Sequence, residues 1–321
     1  WLNTFRVYGF DKLWVCSKSV LCSTGKLKIV NDIITRLSPA KINLYLEVLE
    51  KTSSGFHNIE SLMTFCDFGD IINIKKEKSF RFTIDGPFSK NLSLDNNIIN
   101  KSVSFVEKIL NKKITVHINL TKNLPISSGM GGGSSNAATV ILCLIEMYKI
   151  NCQKDFRQSL FSLGADIPFC FFRKSALVTG KGENVVKIEY NYENFFVLLV
   201  NPMIEISTKK IFEKLTIPTR KYFTPFNEKF LCNTKIINFL NSRKNDLEKE
   251  AISQCEEIKN ILDVLKNETN SLLSRMTGSG STCFALFRNK EDLINAEKIF
   301  TKKFKTFWVK TTKIVNSFEK L

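Results

Sequence analysis

The segment Leu124-Pro125-Ile126-Ser127-Ser128-Gly129-Met130-Gly131-Gly132-Gly133-Ser134-Ser135-Asn136-Ala137-Ala138 concentrates groups suited to holding an anion. Four glycines stand just ahead of an apolar stretch that reads as a helix. Glycine lets backbone N–H groups approach a ligand closely and adopts positive φ without penalty. A helix start adds unsatisfied N–H donors and the positive end of the macrodipole. Ser134 and Ser135 add hydroxyls, and the set together suits a polyphosphate. The same residues also describe a flexible connector between a strand and a helix, and residue type alone leaves both readings open. The segment is not a Walker A loop, because G-x-x-x-x-G-K-[ST] occurs nowhere in the chain. A protein-kinase set is missing too: there is no His-Arg-Asp, and Asp67-Phe68-Gly69 lacks its companions.

Other chemistry-bearing residues are sparse. His57 and His117 are the only histidines and lie far apart, which argues against a His-rich zinc site. The nine cysteines (Cys16, Cys22, Cys66, Cys143, Cys152, Cys170, Cys232, Cys255 and Cys283) form no C-x-x-C pair. Several sit in apolar runs, so they read as buried free thiols in a reducing compartment. The net charge of +16 comes from lysines scattered along the whole chain, with no long basic block. Asn, Ile, Phe and Lys are abundant together, as AT-rich codon drift would produce. The alternatives are a basic surface that attracts anionic ligands and a nucleic-acid-binding protein. No apolar run approaches the roughly 20 residues that span a bilayer, so no membrane partner is expected, and the scatter of the lysines without a basic block argues against a nucleic-acid partner.

Pro-x-x-x-Gly-x-Gly-Gly-Gly-Ser-Ser-Asn-Ala-Ala, beginning at Pro125, resembles the phosphate loop of the GHMP kinases, the family of galactokinase and of homoserine, mevalonate and phosphomevalonate kinases. Four more segments extend the likeness in order and rough spacing, from Ser38 to the C-terminus. They are Ser38-Pro39-Ala40-Lys41-Ile42-Asn43-Leu44, Gly55-Phe56-His57, Leu163-Gly164-Ala165-Asp166-Ile167-Pro168-Phe169 and Thr277-Gly278-Ser279-Gly280-Ser281. The resemblance implies ATP as co-substrate, Mg²⁺ on its phosphates, and ATP contacts from Pro125, Gly129, Gly131, Gly132, Gly133, Ser134 and Ser135. It also implies that Lys41 and Asp166 meet beside the attacking hydroxyl. Taken alone, Lys41 reads equally as an exposed strand lysine, and Asp166 as a turn residue ahead of Pro168. Gly55-Phe56-His57 points to the branch whose substrate carries a cytidine diphosphate moiety, an isoprenoid precursor phosphorylated on its 2-hydroxyl. By the same likeness His57 bonds the cytosine edge, Phe56 and Phe212 stack on the ring, Thr208 gives a polar contact, and Asn43 holds substrate or Lys41. Gly278, Ser279 and Gly280 would shape the substrate pocket. Phe56 stands where the family usually has Tyr, Ser127 and Ser128 where it often has Gly, and Ser54 where it often has Asp.

These residues need a scaffold that brings distant segments together. Ile42, Leu44, Leu46 and Val48 alternate as a half-buried strand, with Lys41 and Asn43 two apart on one face. Ser53-Ser54-Gly55 is the following turn, and Ile71–Ile74 and Phe80–Ile84 read as short strands. Asp95 is placed to cap a helix to Leu110, with Ile98, Ser102, Phe105 and Ile109 on one face. Ile114, Val116, Ile118 and Leu120 alternate as a strand. Helices are expected over Asn136–Tyr148, over Lys154–Ser162 with Gly164 as a left-handed cap, from the Ser207 cap to Leu215, over Asn245–Asn267 and over Lys290–Phe304. Ala176–Thr179, Phe196–Val200, Cys283–Phe287 and Thr306–Ile314 read as strands, and Thr277–Ser281 as a turn between a helix and a strand.

Strands and helices mix without a regular βα repeat, which makes the fold α+β. The expectation is a two-domain GHMP kinase fold with its active site in the interdomain cleft, residues 38–177 forming the N-terminal domain and 178–321 the C-terminal one. Trp1–Leu37 lacks a clear period, is basic and clusters Ser and Thr at Ser17–Thr24, which reads as a transit peptide or a disordered leader. A plastid or apicoplast is the expected compartment, with a bacterial cytoplasm the alternative. Rival functions are another GHMP kinase, such as one acting on mevalonate, an inactive relative kept for binding, and the nucleic-acid binder.

Overall fold

The computed structural model describes residues 19–21, 27–29, 33–51, 57–90, 92–152, 156–188, 195–215 and 233–318. Strands β1 (Ser19–Leu21) and β2 (Leu27–Ile29) form a separate antiparallel ribbon. The main sheet is organised around β3 (Ile33–Lys51) and β4 (His57–Lys76), paired antiparallel along nearly their whole length. Residues Ile33–Leu37 pair with Ile71–Lys75, so the sheet begins five residues ahead of Ser38. The remainder of the stretch expected as a leader lies largely outside the described residues, as does the turn Ser53-Ser54-Gly55.

Twenty residues of β4 reach roughly 65 Å at about 3.3 Å per residue, too far for one partner per edge. β3 takes one edge. The other is shared in succession by β7 (Ala176–Gly180), β12 (Trp308–Val315) and β6 (Val116–Thr121). β5 (Arg81–Asp85) lies parallel to β6, and β8 (Asn184–Lys187) forms a hairpin with β7. Beyond β12 the sheet continues through β9 (Phe196–Asn201), β11 (Cys283–Phe287) and β10 (Leu273–Met276). The boundary expected between residues 177 and 178 therefore falls inside β7.

Helices cover the sheet in two groups. α1 (Ile98–Leu110), α2 (Gly132–Tyr148), α3 (Phe156–Leu160) and α4 (Ile167–Phe172) pack with β4, β6 and β7 on a core that includes Phe65, Val140, Ile141 and Phe169. α5 (Thr208–Lys214), α7 (Glu248–Gln254), α8 (Glu257–Asn267) and α9 (Lys290–Lys303) gather on one face of β9 and β11. α6 (Asn233–Ser242) packs on the other face, with β3. Both faces of β3 are covered, so every residue from Ser38 to Leu49 is buried and the half-buried strand expected there is a fully buried one.

Several boundaries differ from the sequence reading, each for a local reason. Asn97, not Asp95, caps α1, its Oδ1 accepting from the Ile99 N–H at 3.0 Å. The buried stripe of α1 is Ile99, Ser102, Val103 and Val106, while Ile109 is exposed. α2 starts at Gly132 because its glycines are helical rather than loop. Gly164 has φ 163, extended and not left-handed, and closes a one-turn 3₁₀ helix over Phe161–Leu163. The helix expected over Asn245–Asn267 starts at Glu248 and is interrupted at Cys255, where φ −151 and ψ 98 end α7. Among the described cysteines, Cys66, Cys143, Cys170, Cys255 and Cys283 are buried free thiols and Cys152 is an exposed one; burial pushes Cys143 up to about 12. Cys16, Cys22 and Cys232 lie outside the described residues.

Candidate active site

The glycine-rich segment links β6 to α2 and forms one wall of a cleft of about 1170 Å³. That exceeds the roughly 300–1,000 Å³ of a site for one small ligand. Two glycines here have no substitute. Gly131, the N-cap of α2, has φ 63, and a Cβ there would lie 2.7 Å from Lys41 Cγ. Gly129 has φ 75, and its Cβ would lie 2.3 Å from the Thr277 carbonyl oxygen. Ser127 adopts φ 51 with a side chain, a conformation that glycine would take without strain. The Lys41 N–H donates to the Met130 carbonyl at 3.0 Å, fixing the loop to β3.

Lys41 is only 4 % exposed, and its Nζ sits 3.3 Å from Asp166 Oδ2 and 2.8 Å from Asn43 Oδ1. Asp166 occupies the N-cap of α4 without making a side-chain capping bond, so its carboxylate, 32 % exposed, is available to the cleft. Asn43 is locked from three sides. Its Nδ2 donates to Ser61 Oγ at 2.8 Å, its Oδ1 accepts from Thr277 Oγ1 at 3.2 Å, and its N–H donates to Thr277 Oγ1 at 3.0 Å. An ionised carboxylate held against a fixed ammonium can orient a hydroxyl and take its proton, while the cation stabilises charge developing on transferred oxygen. Phosphoryl transfer needs mainly such positioning and charge stabilisation.

The far end of the cleft is aromatic. His57 opens β4 and stacks on Phe212 of α5, ring centroids 5.1 Å apart at 29°. Ser207 caps α5 as the sequence suggests, its Oγ accepting from the Lys210 N–H. Thr208 Oγ1 lies 2.6 Å from Ser279 Oγ and ties α5 to the second glycine turn. That turn joins β10 to β11, strand to strand, rather than helix to strand.

Lys41, Asn43, Asp166 and His57 share the cleft wall with Pro125, Gly129, Gly131, Gly132, Gly133 and Ser134. Thr208, Phe212, Gly278 and Ser279 also line it, Gly278 close beside Gly129 and Lys41. Ser135 and Gly280 are not among the lining residues. Ser135 is 1 % exposed and turned inward, its Oγ 3.0 Å from Ser38 Oγ. Phe56 lies outside the described residues. Two cleft features carry no sequence signal. Lys122 lines the floor, its ammonium pKa pushed down by burial and supported by Asp70. Asn245 donates from Nδ2 to the Met276 and Gly278 carbonyls, both at 2.8 Å, holding the second glycine turn in place. Among the described residues no group of three His, Cys, Asp or Glu side chains is arranged to cage a metal ion, and no helix is long and apolar enough to cross a membrane.

The sequence matches the GHMP kinases N terminal domain family over residues 97–174 and the GHMP kinases C terminal family over residues 233–306. It is 33 % identical over 279 residues to a 4-diphosphocytidyl-2-C-methyl-D-erythritol kinase of Chelativorans, covering 86 % of this chain and 94 % of that protein. A kinase of the same name from Clostridioides difficile is 34 % identical over 90 % of this chain and 97 % of its own. The fold resembles the crystal structure of a 4-(cytidine 5'-diphospho)-2C-methyl-D-erythritol kinase with TM-score 0.68 at 22 % identity, covering 87 % of this chain and 99 % of the other. It also resembles homoserine kinase from Cytophaga hutchinsonii, with TM-score 0.67 at 16 % identity over 91 % and 98 % of the two chains.

Proposed function

The chain belongs to the 4-diphosphocytidyl-2-C-methyl-D-erythritol kinases of the GHMP family, and we propose that its own residues transfer the γ-phosphoryl group of ATP to the 2-hydroxyl of that substrate in the non-mevalonate route to isoprenoid precursors. The observation that carries the assignment of roles is the buried Lys41 ammonium, 3.3 Å from Asp166 Oδ2 and packed against Gly131 of the phosphate loop. Asp166 orients the 2-hydroxyl and accepts its proton. Lys41 pairs with that carboxylate and faces the oxygens of the group in transfer. Asn43 accepts a bond from the Lys41 ammonium and presents its remaining N–H to substrate.

The phosphates lie along Gly129–Ser134, where backbone N–H groups and the start of α2 offset their charge. Mg²⁺ bound with those phosphates would spread their charge further, and Ser134 and Asp166 are lining side chains whose oxygens could hold it. The cytosine goes to the aromatic end. Rings 5.1 Å apart have no space for a third between them, so cytosine takes up the Phe212 face by parting it from His57, which then bonds the base edge, with Phe56 as the second stacking ring. Thr208, Gly278 and Ser279 border the linking diphosphate.

We place the division between the two domains in the crossing between Ile188 and Phe195, where the chain leaves the β7–β8 hairpin for β9. Composition and the basic, Ser-rich stretch near Ser17 favour a plastid or apicoplast, which imaging of a tagged full-length chain decides. The mevalonate-type and nucleic-acid readings lose ground to the family relationship. The deciding experiment measures ADP release with the cytidylylated methylerythritol beside mevalonate and homoserine. Turnover confined to the cytidylylated substrate supports the assignment, and turnover of mevalonate alone overturns it.

A further inference from the structure

Behind the phosphate loop lies a carboxylate that the reaction described above does not use. Asp70 of β4 is fully buried and accepts four hydrogen bonds. Its Oδ1 takes the backbone N–H groups of Asn123 and Leu124 at 2.7 and 2.9 Å, where the loop leaves β6. Its Oδ2 takes Lys122 Nζ at 2.6 Å and Asn136 Nδ2 at 3.0 Å. Asn136 sits in the second turn of α2, and its Oδ1 accepts from Ser38 Oγ at 2.6 Å. One buried anion therefore grips the start of the loop, the helix that ends it, and a lysine on the cleft floor. Its closeness to the anion-binding turn is direct, since a Cβ at Gly132 would lie 3.2 Å from Lys122 Nζ and 3.7 Å from Asp70 Oδ2.

We propose that Asp70 is a positioning residue for ATP, setting the geometry of the phosphate loop through Leu124, Asn136 and Lys122; this rests on the reading of Gly129–Ser134 as the ATP phosphate site. The physical case is a matching of donors to acceptors. A carboxylate is acceptor-only, with room for about four donors, and all four partners here are donors. Asparagine has the same size but turns one oxygen into a donor, which must then oppose either the two backbone N–H groups or the Lys122–Asn136 pair. Either orientation loses two of the four bonds and frees one end of the loop. Lys122 also loses the charge that compensates it, and a buried cation without its partner moves towards whatever anion or water is nearest.

The position argues for an effect confined to one substrate. All four of the donors belong to the loop that precedes α2 or to α2 itself. Asn43 is held by Thr277 and Ser61 and Asp166 by Lys41, none of which bonds Asp70, although the Lys41 N–H also meets the loop at the Met130 carbonyl. His57 and Phe212 stand at the other end of the cleft.

The test compares wild type, Asp70→Asn and Asn136→Ala, each below its own unfolding midpoint. Two quantities are read: the Kd of a non-hydrolysable ATP analogue with Mg²⁺, and the KM values for ATP and for the cytidylylated substrate. Asp70→Asn is expected to raise the analogue Kd and the ATP KM by on the order of tenfold, the factor matching one lost charge-assisted hydrogen bond, with the cytidylylated substrate KM within about twofold of wild type. Asn136→Ala, which removes one arm only, should move the same two constants less. Unchanged analogue binding in folded Asp70→Asn overturns the proposal, and so does an equal rise in both KM values, since that marks general loosening. If Asp70→Asn does not fold, Asn136→Ala decides: severalfold weaker analogue binding supports the role, and unaltered binding overturns it. Wild type that binds the analogue but does not phosphorylate the cytidylylated substrate sinks the substrate assignment alone. Wild type that fails to bind the analogue sinks both.

Discussion

The two ends of the cleft are built in different ways. At the reacting end, Lys41, Asn43, Asp166 and the phosphate loop are cross-linked by side-chain bonds from β3, β4, the β10–β11 turn and α2, and most of the participating groups are buried. At the aromatic end a seven-residue helix is held by Ile211 buried in the core, by the ring contact between His57 and Phe212, and by one hydroxyl pair, Thr208 with Ser279. The reacting groups must be held to a fraction of an ångström, because small misplacements are costly in the transition state. A nucleobase pocket must admit and release its ligand, and few bonds there keep the barrier to opening low. On the proposed assignment, side-chain bonds are densest where chemistry would occur and fewest where recognition would.

The comparison is broken most decisively by a reacting-end substitution with no effect. Asp166→Asn should lower kcat by about 10²–10⁴-fold, the span for a positioned acid–base group, with ATP affinity and thermal stability nearly intact; kcat within a few-fold of wild type would refute the role. Gly131→Ala inserts a carbon 2.7 Å from the Lys41 side chain at φ 63. Displacing Lys41 should cost turnover on the order of 10²-fold, read as kcat at saturating ATP. At the compliant end, His57→Ala and Phe212→Ala should each raise the KM of the cytidylylated substrate roughly tenfold, in line with about 1–3 kcal/mol for one hydrogen bond or stacking contact. Their ATP KM and kcat should barely move; a matching rise in ATP KM would show that the two ends are not separable. The smallest effect is expected from Ser127→Gly. Relief of the left-handed strain, about 1 kcal/mol, is offset by the greater freedom of glycine in the unfolded chain. The melting temperature should therefore shift by no more than about 2–4 °C, with unchanged kinetics.

What the sequence reveals follows the physics of each element. β6 buries one face, and its alternating Val116, Ile118 and Leu120 announce it. α5 has a Ser cap and ends where expected. β4 gives almost no signal over its first half, because Ser61–Cys66 is buried on both faces and a strand covered twice loses its alternation. α2 hides its first turn, since Gly132 and Gly133 are poor helix formers that here line the cleft. The interruption between α7 and α8 has neither Gly nor Pro to mark it. At the site, the phosphate loop is legible from composition. Lys41 and Asp166 are ordinary residues until the fold brings them to 3.3 Å, and only the family likeness joined them beforehand. Asp70 and Asn245 had no such help: a single acid after glycine, and an asparagine in a charged run, look like surface until their bonds are seen.

The placing of β12 has a consequence for how the protein is made. Trp308–Lys313 pair with β9, and Ile314–Val315 pair with β4, so the last described strand closes the sheet across both halves of the molecule. During synthesis at about 5–20 residues per second, β9 emerges roughly 5–20 s before the strand that will cover its edge. For that interval the nascent chain carries open edges on β9 and on the middle of β4, both flanked by apolar side chains, the kind of surface that pairs with foreign strands. Until β12 docks, on the ribosome or after passage into a compartment, these edges are where the chain is open to pairing with foreign strands.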